Sequence, residues 1–512
     1  QQNLPPYCIM NLLHQFFENS ADKYPELIAI NDHGEKITYK NLESCSNRLA
    51  NFLNELKAQT KMRVVIFTEK NLNQYVSLLA ALKSGNCWIP IQVNQPKDRL
   101  KVLFTTINPQ LVITEKNFDK KLSFFKGHII NLNADNIKKK LSKISNKRME
   151  VDINPLDLAY IIFTSGSTGV PKAVTVSHQN SFCFLDEVKN KFILKKKMNF
   201  AHFSELTFDP SIFDIFGCWM SGGTLIPFNK NSYKINPLLF FRNFNINVIL
   251  CVPSLFNAIK LIDTKFKSPC LKKIKYLIFT GEKINKNLVK YWYESNEKSK
   301  VINFYGTTET AIISHYYEIP RSFNFRNDIP VGRKLKNISV VLLDEKNKIK
   351  EKVGISHVYG PQISRGYWNS DYQNKLYFVD HPEIKDNFFK LYNTGDILEK
   401  KNNGLYYFKG RKDSQIKFNG VRIELGEIEN TLNNLPQIND VVVKYFNNSN
   451  KRETIIAFIK SNDLSKDQIS NYLEKNLPRI MLPSDIRIIN SDFPRNINGK
   501  IDRKKITRNY GN

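Results

Sequence analysis

The 512-residue chain is 41% hydrophobic and 12% aromatic, which excludes a disordered polymer, and it is too long for a single core, so two or more folded domains are expected. Lys and Arg outnumber Asp and Glu by 76 to 48, a formal charge of +28. The basic residues are scattered instead of gathered in an arm, which argues against a nucleic-acid binder and leaves a surface suited to steering an acidic partner protein.

Short apolar runs at residues 63–68, 86–91, 110–114, 128–132 and 158–163 read as buried strands, and 247–252, 274–279 and 300–304 continue the series. Amphipathic stretches such as 72–83 lie between them and read as helices. The alternation implies an α/β class, with parallel-type sheets covered by helices in a large N-terminal domain over residues 1–412. Ligands of such sheets gather at the C-terminal ends of strands, and polar motifs beginning at Thr164, Gly281 and Tyr305 each follow one. After Gly410-Arg411-Lys412-Asp413 the texture changes: strands are expected at 440–445, 453–459 and 486–490 and a helix at 466–477. Residues 413–512 therefore read as a small C-terminal α+β domain, with the Asn-Lys cluster at 447–451 as a loop tip.

No apolar run is long enough to span a membrane, and the first ten residues lack the basic-then-apolar order of a signal peptide. Seven widely spaced cysteines with no CxxC pair point to free thiols, not to a disulfide frame or a zinc site. A cytoplasmic setting without a membrane partner is expected.

The most informative stretch is Phe163-Thr164-Ser165-Gly166-Ser167-Thr168-Gly169-Val170-Pro171-Lys172. Glycines let backbone N–H groups approach oxygens closely, hydroxyls donate further hydrogen bonds, and a lysine offsets charge, so the loop suits a polyphosphate. The GxxxxGK[ST] spacing of a Walker loop is absent. The string resembles the nucleotide loop of adenylate-forming enzymes: acyl-CoA synthetases, luciferases and the amino-acid-activating domains of nonribosomal peptide synthetases. Further segments carry the same resemblance in the same order: Ile37 to Leu42, Tyr305-Gly306-Thr307-Thr308-Glu309-Thr310, Arg365-Gly366-Tyr367-Trp368-Asn369, Tyr392-Asn393-Thr394-Gly395-Asp396, Gly410 to Glu429, and Asn498-Gly499-Lys500-Ile501-Asp502-Arg503.

That resemblance implies ATP and Mg²⁺ as cofactors and assigns roles. Thr164, Ser165, Ser167, Thr168 and Lys172 would embrace the β- and γ-phosphates. Thr308 would contact phosphate, and Glu309 would ligate Mg²⁺, a hard ion that favours carboxylate oxygen. Asn303 and Tyr305 would hold the adenine and Asp396 the ribose hydroxyls, with Arg411 nearby; Gly281 and Glu282 belong to the same nucleotide side. Lys500 would bridge the substrate carboxylate and the nucleotide. Asp413 would be the hinge about which the small domain rotates, bringing Lys417 and Gly420 toward an incoming thiol.

Phe208-Asp209-Pro210-Ser211 resembles the FDxS segment of amino-acid-activating members, in which the aspartate meets the substrate ammonium; an N-cap aspartate is the competing reading. Pro210, Phe213, Leu250, Ile278, Thr280, Phe304, Ile312 and Ile313 would then line the side-chain pocket. None is charged, so a small or medium apolar amino acid is expected. The chain ends twelve residues after Lys500 without a carrier-type sequence, so a phosphopantetheinylated carrier protein acting in trans is expected. The nearest alternatives are a D-alanine–carrier protein ligase and, disfavoured by Asp209, an acyl- or aryl-CoA ligase.

Overall fold

The computed structural model describes residues 12–56, 61–166, 170–192, 194–383, 390–413, 415–446, 453–461, 463–495 and 501–510. The chain divides into two compact units. One comprises the chain up to Val93, Ile107–Ile162 and Ala173–Lys412; the other comprises Asn94–Thr106, Phe163–Lys172 and the chain from Asp413 onward.

The first unit holds two sheets of the expected kind. In the nine-stranded sheet, Ile28–Asp32, Thr224–Pro227, Asn199–His202, Val248–Cys251, Tyr276–Phe279 and Lys300–Tyr305 run parallel in that spatial order, and His315–Ile319 continues antiparallel to the last. In the seven-stranded sheet, Leu158–Thr164, Cys87–Pro90, Arg63–Phe67, Leu111–Thr114 and His128–Asn131 are parallel neighbours. Helices start where the sequence supplies caps. The Thr38 side chain accepts from Asn41 N–H before Tyr39–Glu55, Asn71 accepts from Asn73 N–H before Leu72–Lys83, and Ser177 and Asn180 form a capping box before His178–Lys191. Leu72–Lys83, expected as an amphipathic helix, has no wet face over most of its length: residues Gln74 to Lys83 are all buried, the polar ones included. Phe17, Phe184 and Phe200 are sealed in the core, each contributing about 1.5–3 kcal/mol by the transfer scale.

A third sheet was not legible in the strand–helix alternation. Ser339–Leu343, Val353–Tyr359, Leu391–Lys400 and Tyr406–Arg411 form antiparallel neighbours. Leu391–Lys400 alternates buried and half-buried residues along most of its length, the period-two pattern of a sheet with one wetter face.

In the second unit, Asp440–Phe446, Thr454–Lys460 and Asp485–Ile488 form a three-stranded sheet packed with helices Leu425–Asn433 and Lys466–Asn476, close to the expected positions. The expected loop tip at 447–451 lies outside the described residues. The hinge motif folds as a hairpin, Gln415–Phe418 paired with Val421–Glu424. Its two-residue turn is Asn419-Gly420, with φ of 48° and 76°. Both signs are those of a type I′ turn, for which Asn-Gly is the preferred pair, so Gly420 has a backbone reason to be glycine.

Candidate active site

The third sheet brings together residues that are expected at the nucleotide. Asp396 and Arg411 face one another across neighbouring antiparallel strands. The Asp396 carboxylate pairs with the Arg411 guanidinium through one oxygen and accepts from the Tyr305 hydroxyl through the other. Arg411 also donates to the Thr394 carbonyl at 3.1 Å, and Asp396 N–H donates to Thr394 Oγ1 at 3.1 Å. Three residues, each expected at the adenine or ribose, thus form one cluster around the buried Asp396 carboxylate, with Tyr305 and Arg411 half-buried. Burial, reinforced by the Asp396 charge, pushes the Tyr305 hydroxyl far above its ordinary pKa and keeps it a donor. Asn303, on the same strand as Tyr305, donates to the Pro330 carbonyl at 2.9 Å.

The Tyr305 ring meets His315 edge-on at 5.6 Å. Burial drives His315 down to about 3 and His178 down to about 4, and His178 Nδ1 accepts from Leu13 N–H at 3.1 Å, which requires that nitrogen to be unprotonated. In the unfolded chain both imidazoles take up protons below about pH 6.5. Stability from these two groups is therefore complete above about pH 6.5 and is lost as pH falls toward about 4, by about 1.4 kcal/mol per pH unit for each group. Urea-denaturation midpoints should fall over that interval, and His178→Asn should reduce the slope.

Thr308–Thr310 forms a single 3₁₀ turn after the strand. Glu309 within it is fully buried; its Oε1 accepts from the Tyr367 hydroxyl at 2.7 Å, and its carbonyl accepts from Ser364 N–H at 2.8 Å. One buried carboxylate, with the other ligands left to phosphate oxygens and water, is a donor set that suits Mg²⁺. Among the described residues there is no group of three or more His, Cys, Asp or Glu able to hold a metal by itself. The turn continues through Ala311 and Ile312 at φ of 47° and 87°. A β-branched residue at positive φ costs about 1–3 kcal/mol, so its surroundings must hold it there. Gln362 does this by donating to the Thr310 and Ile313 carbonyls at 2.9 and 2.6 Å.

Gly281 has φ of 84° and follows strand Tyr276–Phe279. Glu282 accepts from the N–H and hydroxyl of Ser254, both at 3.0 Å, in the first turn of helix Pro253–Ile262, so it has a structural task besides any nucleotide contact.

The residues expected to line the substrate pocket are largely brought together. Leu250 and Ile278 are partners on adjacent parallel strands, and Thr280 N–H donates to the Cys251 carbonyl just beyond them. Phe213 and Phe304 meet edge-to-face at 5.8 Å. Phe213, Leu250, Ile278, Phe304, Ile312 and Ile313 belong to one buried cluster. Asp209 is buried and immediately precedes the Pro210–Ile212 helical turn, but its side chain makes no capping hydrogen bond there. The N-cap reading is therefore not borne out. Pro210 is half-buried, and the chain past Phe213 turns once as a π-helix.

The phosphate-type loop belongs to the second unit. Gly166 has no room for a side chain: a Cβ there would stand 1.9 Å from the Val170 carbonyl oxygen. Thr164 Oγ1 is buried and finds no hydrogen-bond partner among the described residues. Ser165 Oγ donates to the Arg422 carbonyl at 2.9 Å, Gly166 N–H donates to Glu427 at 3.0 Å, and the buried Lys172 ammonium donates to Glu424 at 3.4 Å. Arg99 pairs with Glu427 at 2.7 Å, and Gln415 donates to Glu424. Anions already sit on the loop's donors, as a phosphate site demands, but here they are carboxylates of the hinge segment. Lys417 pairs in register with Arg422 in the hairpin, and Asp413 accepts from Gln415 N–H at 3.2 Å. Ser167, Thr168 and Lys500 lie outside the described residues.

Sequence reasoning assigned no role to Gln362, Tyr367, Arg99, Glu424 or Glu427. Tyr367, Glu424 and Glu427 stood inside quoted motifs, which was the available signal. Gln362 also lay inside a family-like segment, Gly360 to Asn369, whereas Arg99 carries no local pattern; the partners of both are chosen by the fold.

A glycine-rich loop following one strand, an acidic ribose-type cluster and a small C-terminal α+β unit define an adenylate-forming enzyme. The chain belongs to the AMP-binding enzyme family: that family's profile matches residues 17–368, and the profile of the AMP-binding enzyme C-terminal domain matches residues 427–500. It is 28% identical over 514 residues to tyrocidine synthase 1 of Brevibacillus parabrevis, covering 99% of this chain and 46% of that protein. It is 28% identical over 501 residues to bacitracin synthase 3 of Bacillus licheniformis, covering 96% of this chain and 8% of that protein. The chain thus spans less than half of either relative. Its fold resembles that of the Vibrio cholerae adenylation domain AlmE, solved in complex with glycyl-adenosine-5'-phosphate, with a TM-score of 0.85, 21% identity and 99% of both chains covered. The six cysteines among the described residues are free, and none of the described helices is long and apolar enough to cross a membrane.

Proposed function

We propose that this adenylate-forming enzyme activates an amino acid and passes it to a carrier thiol. The observation that carries the proposal is Asp209: a buried carboxylate that does not cap its helix, on the stretch that also supplies Phe213 to an uncharged pocket. A buried ammonium needs such a counter-charge. In the reaction, an oxygen of the amino-acid carboxylate attacks the α-phosphorus of ATP, a new O–P bond forms, the α–β phosphoanhydride breaks and pyrophosphate leaves. Asp209 would hold the ammonium, and Tyr305, Asp396 and Arg411 the nucleoside. Thr164, Lys172 and the Gly166 N–H would take the phosphates, and Lys500 would place positive charge between the two reacting anions. Mg²⁺ held by Glu309 would supply charge neutralisation at the phosphates. The pocket's uncharged lining favours a small or medium apolar substrate. The test is amino-acid-dependent ATP–pyrophosphate exchange across all proteinogenic amino acids and D-alanine. Exchange with only a fatty or aryl acid would reject the amino-acid reading.

Transfer would follow a rotation about Asp413, the first residue of the C-terminal segment. Phosphates and the carboxylates of Glu424 and Glu427 need the same donors, Lys172 and Gly166 N–H, so the two cannot occupy them together. Glu427→Gln, which keeps the shape but removes the charge, should lower the ATP KM in pyrophosphate exchange by about threefold to tenfold, the scale of one charge-assisted hydrogen bond lost from the competing state. Loading of a carrier protein should slow in the same variant. Equal changes in both assays would dissociate Glu427 from the alternation.

A further inference from the structure

Lys70 sits between strand Arg63–Phe67 and helix Leu72–Lys83, with its side chain only 3% exposed. A lysine is almost never buried unless its ammonium is fully used. Here the ammonium donates to the Phe203 carbonyl at 3.0 Å and the His202 carbonyl at 3.4 Å, and it pairs with Glu205 at 3.4 Å. Its charge also offsets the burial that raises the pKa of Asp214, whose carboxylate accepts from Ser204 N–H at 3.4 Å. The far side of the network is anchored as well: Tyr75 OH meets His202 Nδ1 at 2.7 Å, and Asn229 donates to the Lys70 carbonyl at 2.8 Å.

These partners are not spread at random. His202 ends strand Asn199–His202, residues 203–208 have neither a helical nor a strand ladder, and Asp214 lies in the π-helical turn directly after Phe213. Lys70 therefore grips residues 202–205 at the start of this irregular stretch, and Ser204 N–H within that grip reaches Asp214, so that Asp209, Pro210 and Phe213 lie between two tied points. An apolar residue at position 70 would fill the space but leave the carbonyls and carboxylates without their cation.

We propose that Lys70, acting with Glu205, is a positioning residue that sets where Asp209 and Phe213 stand at the amino-acid pocket, and so governs binding of the amino acid without touching it. The inference rests on the reading of Asp209 given above. It assigns Lys70 an effect on one substrate only, since no part of its network includes Tyr305, Asp396 or Arg411.

The experiment measures pyrophosphate exchange with the amino acid that the unmodified enzyme prefers, with thermal unfolding recorded on each protein. Glu205→Gln, a change at a half-exposed side chain, should raise the amino-acid KM by about threefold to tenfold and leave the ATP KM within about twofold. Lys70→Met should raise the amino-acid KM further, and Lys70→Arg, which keeps the cation, should recover part of the loss. If Lys70→Met does not fold, Glu205→Gln decides. An unchanged amino-acid KM in Glu205→Gln, or parallel increases for amino acid and ATP, overturns the proposal. Absence of exchange with any amino acid in the unmodified enzyme overturns the underlying reading instead, and the positioning role with it.

Discussion

Asp209→Ala is expected to reduce amino-acid-dependent pyrophosphate exchange by about a hundredfold or more, because it leaves the substrate ammonium in a buried pocket without its counter-charge, a loss on the order of 3–5 kcal/mol. ATP affinity should be nearly unchanged, since the cluster of Tyr305, Asp396 and Arg411, proposed to hold the nucleoside, is built from other strands. The Asp209 side chain makes no capping bond to Pro210–Ile212, so the truncation removes no helix cap. The measurement is exchange kinetics beside nucleotide binding by calorimetry. A large drop in melting temperature with a proportionate loss of ATP binding would mean that Asp209 serves the fold and not the substrate.

Glu309→Gln is expected to be at least as damaging, by about a hundredfold to a thousandfold in exchange, because an amide supplies no negative charge to a divalent ion at the phosphates. The substitution keeps the shape and an acceptor for the Tyr367 hydroxyl, which now bonds Glu309 Oε1 at 2.7 Å. Tyr367→Phe separates the two functions of this pair. It removes one hydrogen bond to a charged group, about 1.5–3 kcal/mol, but leaves the carboxylate in place. Titration with Mg²⁺ distinguishes the outcomes: Glu309→Gln should require far more metal or fail to saturate, whereas Tyr367→Phe should saturate normally at a reduced rate. Equal Mg²⁺ dependence in both variants would remove Glu309 from the metal site.

Much of the architecture was legible because its signals are local. Leu72–Lys83 was readable to the residue because strong helix formers follow an Asn71 cap, although its burial on nearly every side was not expected. The expected parallel strands differ from the observed ones by one or two residues at their ends, where hydrogen-bond ladders fray and apolarity does not mark the boundary, whereas Ile28–Asp32, Asn199–His202 and Thr224–Pro227 were not read as strands. The antiparallel sheet of Leu391–Lys400 and its neighbours escaped notice because half-buried strands mix polar and apolar residues and resemble loops. The same sheet sets Asp396 opposite Arg411, so what was missed in the fold was also what assembles the cluster proposed for the nucleoside.

The sequence by itself determined that this chain is an α/β adenylate-forming enzyme, since its motifs are contiguous strings whose chemistry depends on neighbours along the chain. It also determined the Asn419-Gly420 turn, where the backbone requires two positive φ angles. Only the tertiary structure decided that Asp209 does not cap its helix, that Gln362 braces the strained Ala311-Ile312 turn, that Glu424 and Glu427 sit on the donors of the phosphate-type loop, and that Lys70 bonds the His202 and Phe203 carbonyls just before the stretch carrying Asp209. All but the first of these join residues roughly 50 to 260 positions apart. A buried polar group must find a partner somewhere, but sequence spacing says nothing about which distant group the fold will bring within hydrogen-bond reach.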